Sequence, residues 1–140
     1  MITQGVEAAG RCGACGGPTV RDIGQFIDHG RLRWGIEETC RACPSYSCAE
    51  DDGPVTPEWI RDALLAAHGP ARLRLTGCGT SPVPAMKVLR SVHRLTLAQA
   101  REMANRLADT GLLGTLVEME FLAARLRHAS VGATVEHPAT

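Results

Sequence analysis

The sequence predicts an α+β chain built as a small cysteine-clustered unit of strands, a linking helix, and a domain of order β-α-α-β-α-β. Three observations carry this. Five of the six cysteines fall in the first 48 of 140 residues. A strongly punctuated helical segment follows a polar break near Pro54. Beyond it the hydrophobic spacing alternates between the strand period of two and the helical period of 3.6. The expected division is residues 1–53, 54–70 and 71–137.

The first segment is poor in core. Val20, Ile23, Phe26, Ile27, Leu32, Trp34 and Ile36 are its main large apolar residues. A unit this small needs a metal or covalent staple. "CGAC" (Cys12, Cys15) and "CRAC" (Cys40, Cys43) supply one. Two residues between cysteines let one tight turn aim both sulfurs at one ion, and two such turns make a closed four-thiolate site suited to structural Zn2+. Cys48 is the alternative to Cys43. A thiol redox switch and uncoordinated cysteines are the competing readings. "LRWGIE" alternates as a half-buried strand, "DHGR" is a hairpin turn with His29 at its solvated tip, and "EDDGP" is a polar linker. Two knuckles joined by a hairpin resemble a zinc ribbon over about residues 10–48. A closed four-thiolate site leaves no position for water, so the expected metal is structural.

"TPEWIRDALLAAHGP" is the linking helix. Thr56 is its expected cap, Pro57 fits the first turn, Glu58 favours the positive end, and Gly69-Pro70 stop it. Trp59, Ile60, Ala63, Leu64 and Ala67 share a face, expected to dock one half on the other.

In the third segment, "ARLRLTG" alternates as a strand and "CGTSP", with Cys78, is a loop. Ser81-Pro82 open a helix over about residues 83–93, with Ala85, Met86, Leu89 and Val92 inward. "TLAQ" has capping-box spacing. It starts a helix with Leu97, Ala100, Met103, Ala104 and Leu107 inward. Residues 114–119 are expected as a strand, 120–129 as a helix and 131–137 as the last strand.

"MKVLRSVHRLTLAQAREM" and "LVEMEFLAARLRHASVGATVE", in this order of elements, resemble the C-terminal domain of the bacterial ribosomal stalk protein over about residues 71–137. The adaptor of the Clp protease shares that fold. The resemblance implies a domain that is no enzyme and whose first two helices recruit translation factors. Lys87, Arg90 and Arg101 match its basic positions; Val83 and Met86 match apolar positions of the same helix. Pro82, Thr96 and Ala98 depart from it. An ordinary solvated helix face is the alternative for the three cations.

Composition narrows the function classes. Fifteen basic residues balance fifteen acidic ones, so net charge points to neither nucleic acid nor an anionic membrane. The first 53 residues hold eight acids against five arginines, which disfavours phosphate contacts there. No secretory start or membrane-length apolar run is seen, so a cytoplasmic protein is expected. Ser81, His93, His128 and Cys78 have no catalytic motif around them. The expectation is a non-enzymatic, zinc-containing protein that binds another protein: a translation factor, the ribosome, or a toxin held by a dedicated immunity protein. Nucleic-acid binding is a further alternative.

Overall fold

The computed structural model describes residues 2–52, 55–77 and 81–137. The chain divides into two compact units, residues 1–67 and 68–140.

The first unit is a four-stranded antiparallel sheet in sequential order, with one helix. Its strands are β1 (Ile2–Arg11), β2 (Pro18–Asp28), β3 (Arg31–Cys40) and β4 (Tyr46–Asp52). The sequence had shown only the centre of β3. β1 escapes because Gly and Ala occupy four of its ten positions, and β4 because all seven of its residues are exposed and three are acidic. The supposed linker "EDDGP" therefore supplies the end of β4 through Asp52; Gly53 and Pro54 lie outside the described residues. β2 and β3 are joined at His29 and Gly30, both with positive φ (51° and 75°), as a two-residue turn matching strand twist requires.

Register gives this sheet two different faces. Val6, Ile23 and Ile36 are cross-strand neighbours, as are Gln4, Gln25 and Trp34. On that face packs α1 (Glu58–His68), through fully buried Ile60 and Leu64 against Ile23, with Val6, Ala8, Trp34 and Ile36 around them. The helix thus completes the core of the strand unit. The Thr56 hydroxyl, expected to cap the helix, accepts instead from the buried Gln25 Nε2 at 2.8 Å. Gln25 ties the entry of α1 to the sheet, because a buried amide left unpaired is costly.

The second unit holds β5 (Ala71–Leu75), α2 (Val83–His93), α3 (Leu97–Asp109), β6 (Leu112–Gly114), α4 (Leu116–His128) and β7 (Ala133–Glu136). β5 is central and pairs antiparallel with both β6 and β7. Its alternation puts Ala71 and Leu73 into a core with Leu89, Leu107, Leu122 and Leu126. Thr96 and Gln99 form the expected capping box of α3. Leu97, expected inward, is instead 61% exposed. Gly111 has φ 94°, and a Cβ there would lie 2.6 Å from the Leu73 carbonyl oxygen, so the turn from α3 into β6 requires glycine.

The stretch expected as a strand over residues 114–119 is mostly helix. Thr115 is an N-cap whose hydroxyl accepts from the Glu118 amide at 3.2 Å, while the Glu118 side chain accepts from Thr115 N–H at 3.0 Å. "TLVE" has the same capping-box spacing as "TLAQ", and its helix start overrides the β-branched Thr115 and Val117. The helix expected over 120–129 accordingly begins at Leu116. Arg127 fastens β7 to the end of α4 by donating twice to the Ala133 carbonyl, at 3.0 and 2.9 Å.

Thr115 is fully buried, so its cap is shielded from competing water. Thr115→Ala should destabilise the second unit by about 1–2 kcal/mol, measured as a lower urea midpoint. The exposed cap at Thr96 should cost less on the same substitution.

Candidate metal centre

Both knuckles lie at the same end of the first sheet. The first closes the β1–β2 connection and the second the β3–β4 connection. In the first, Cys12 N–H donates to Gly17 O at 2.8 Å and Gly16 N–H to Cys12 O at 2.9 Å. In the second, Cys40 N–H donates to Ser45 O at 3.0 Å. Arg41 N–H donates to Pro18 O at 3.1 Å and so joins the two turns. The register that pairs Thr19 with Cys40 makes them neighbours.

The sulfurs of Cys12, Cys15, Cys40 and Cys43 lie within 4.8 Å of one another. The Cys15 and Cys40 sulfurs are 3.5 Å apart and those of Cys12 and Cys43 3.7 Å. A zinc ion with bonds of about 2.3 Å in a tetrahedron puts its sulfurs about 3.8 Å apart. The four cysteines can therefore hold a metal ion, and an all-thiolate set of this size suits zinc. Cys12 and Cys40 are buried, Cys43 is half-buried and Cys15 is exposed. Among the described residues this is the one group of three or more His, Cys, Asp or Glu able to hold an ion. Cys48 stands in β4 opposite Glu37, outside the group. Cys78 lies outside the described residues.

Backbone amides aim at the sulfurs. Ala14 N–H donates to Cys12 Sγ at 3.4 Å and Gly17 N–H to Cys15 Sγ at 3.3 Å. Ala42 and Cys43 N–H both donate to Cys40 Sγ at 3.3 Å. These donors could not be named from cysteine spacing alone. One signal of them is in the sequence: Gly17, whose added Cβ would sit 2.8 Å from Ala42 Cβ and 3.2 Å from Cys15 Sγ. Glycine there lets the two knuckles approach.

The donors divide the thiols into unlike pairs. The Cys15 and Ala14 amides lower Cys12 to about 6, and the Ala42 amide lowers Cys40. The Gly17 amide favours the Cys15 thiolate, but the Cys40 sulfur and burial outweigh it and Cys15 is raised. Cys43 likewise gains from the Ser45 amide, yet the sulfurs of Cys40 and Cys15 push it up to about 12. Four negative sulfurs this close repel one another, so two readily lose protons and two keep them. A divalent cation supplies the missing charge and displaces the remaining protons.

Among the other residues singled out from the sequence, Val83, Lys87 and Arg90 are exposed on α2 and Arg101 is exposed on α3. Met86 is half-buried and packs on the core. Ser81 lies beside the start of α2, its hydroxyl accepting from Val83 N–H at 3.3 Å, while His93 and His128 end α2 and α4. No protein-family model, curated protein or solved structure matches the chain. No helix among the described residues is long and apolar enough to cross a membrane.

Zinc uptake near neutral pH should release about two protons, from the raised Cys15 and Cys43. Titration calorimetry in buffers of different ionisation enthalpy measures this. The thiolates favoured at Cys12 and Cys40 are lost as pH falls through their lowered values, so acid should weaken uptake, not strengthen it. Cys40→Ala should abolish stoichiometric metal and loosen the first unit, seen as lost amide dispersion for residues 2–52, with the amides of residues 81–137 kept.

Proposed function

We propose that this chain is a non-enzymatic, cytoplasmic protein-binding module braced by structural zinc, and that it docks a partner through α2 and α3. The observation that carries the reading is the exposed stripe on those helices. Val83, Lys87 and Arg90 recur at helical spacing along α2, Arg94 stands at its C-cap, and Val83 is 50% exposed. Such a mixture of apolar and cationic side chains is what a protein interface uses. Residues 83–109 carry five basic residues and two acidic ones, so the preferred partner surface is acidic.

The order β-α-α-β-α-β, with the sequence resemblance to the stalk protein's C-terminal domain, supports a translation factor or a ribosome-bound protein as that partner. Lys87 and Arg101 would meet its carboxylates. Arg90 has a second task, because its Nε donates to Leu95 O at 3.2 Å across the α2–α3 corner. Met86 supports the helix from beneath, and exposed Leu97 extends the apolar part of the surface. The zinc would take no part in chemistry. Four protein ligands leave it no open position for water, and reduced cytoplasmic thiols remain available to bind it.

The test is affinity capture from the native cell with mass spectrometry, using the zinc-loaded chain. Translation factors should be enriched. Lys87→Ala combined with Arg101→Ala should reduce capture by about tenfold with an unchanged melting temperature. Undiminished capture by that variant, or enrichment of nucleic acid or a toxin instead, would overturn the reading.

A further inference from the structure

We propose that the outer edge of β4 is a second docking site, taking an extended basic segment of a partner protein as a fifth strand of the first sheet. The edge is available: β4 is the last strand of the described sheet and all seven of its residues are exposed. Its outward backbone groups are a template for strand addition.

Two cavities meet at this edge, one on each face. The face away from α1 carries a trough of about 800 Å³ that ends at Cys48 and Glu50. Its floor is Gly5, Gly24 and Gly35, which are in register across β1, β2 and β3. Nothing inside the fold demands glycine there. None of the three has a positive φ, and an added Cβ would come no nearer than 3.4 Å to any neighbour. Glycine in a strand weakens it and marks a bulge, a tight bend, or close approach by a ligand or another backbone. On the α1 face a cleft of about 350 Å³ lies between Trp59 and Ser47 and Ala49 of β4, with Ile36 and the Arg21–Glu38 ion pair as its other walls. Trp59 is 47% exposed.

An added strand alternates its side chains between these cavities, since successive residues point to opposite faces. The chemistry of each cavity selects an occupant. Beside the glycine floor, Glu7, Asp22 and Glu37 form a cross-strand row that continues to Cys48. Among the described residues none of the three has an ion-pair partner. Like charges directly opposite destabilise a sheet, so the row favours a cation. A lysine or arginine opposite Cys48 on the new strand stands two strand spacings, roughly 10 Å, from the Glu37 backbone, within the combined reach of the two side chains. Its aliphatic stem lies along the apolar floor. Glu50 and Asp52 are already met by Arg33 and Arg31, at 3.4 and 2.9 Å, and Tyr46 flanks Cys48 on the same strand. The next residue of the added strand falls under Trp59, where a small apolar side chain fits. A second copy of β4 is a poor occupant, because it brings three more carboxylates, Glu50, Asp51 and Asp52, and no cation to an acidic edge.

The experiment uses the zinc-loaded full chain and a soluble peptide alternating lysine with valine, followed by amide NMR and hydrogen exchange. The peptide should protect β4 amides and shift Trp59 and the residues of the trough. Glu37→Gln should weaken binding about fivefold, and Trp59→Ala should weaken it independently. Gly24→Val, which fills the trough, should abolish binding while raising the melting temperature; that pairing is not expected of residues with only a structural role. N-methylation of the peptide amides facing β4 should also abolish it. Absence of β4 protection, equal binding of a glutamate–valine peptide, or pairing of β4 with a second copy would each overturn the proposal. Lys87→Ala with Arg101→Ala should leave peptide binding unchanged, which separates this site from the helical surface.

Discussion

Four sulfurs gathered within 4.8 Å are the constraint on which the first unit rests. They cannot all be thiolates without a cation between them, and a half-protonated cluster is a set of repelling neighbours. One divalent ion turns that repulsion into four bonds. Structural zinc binding in finger peptides is worth about 10–16 kcal/mol, as much as the whole stability of a typical domain. The rest of the unit contributes little by comparison. Its buried apolar cluster at α1 is Ile23, Ile60 and Leu64 with a fringe of half-buried residues. An ion held there would also fix register. With Cys12 and Cys15 at one knuckle and Cys40 and Cys43 at the other, a one-residue slip between β2 and β3 would turn Ile23 and Gln25 to the wrong face.

The second unit follows a different economy. Its core runs from Ala71 to Ala133 and includes fully buried Leu73, Leu89 and Leu126. Two complete capping boxes, at Thr96 and Thr115, define where α3 and α4 begin. Helix position there is set by backbone donors finding side-chain acceptors, and the apolar faces then follow. No ion is needed for that kind of order. Metal loading can therefore govern one unit while the other keeps its shape and its exposed basic stripe.

Legibility in the sequence tracked the strength of local chemistry. The paired C-x2-C motifs, the turn at His29-Gly30, the extent of α2 and the start of α3 are visible because each is specified by a few adjacent residues. β1 and β4 are not. Their places come from hydrogen bonding to β2 and β3, and residues such as Gly5, Ala8 and Glu50 carry no strand propensity of their own. α4 shows the opposite failure. Its local signal, Thr115 to Glu118, sits inside a β-branched, apolar run that has the pattern of a strand. The thiol-directed amides were hidden for a third reason: a backbone N–H has no sequence identity, and only Gly17 hints at the closeness it serves.

The net charge of zero conceals a segregation with physical consequences. Residues 1–53 hold eight acids and five arginines; residues 54–140 hold ten basic residues and seven acids. Fields of the two signs fall off within a Debye length, about 8 Å at physiological salt, so each surface acts on what touches it and not on the far end of the chain. The docking faces proposed on the acidic strands and on the basic helices would consequently select partner surfaces of opposite charge. A single occupant satisfying both would need its own charges segregated in the mirror sense. Two separate partners, or two segments of one, would meet the requirement more simply, so the two proposed docking faces together describe a bridging module.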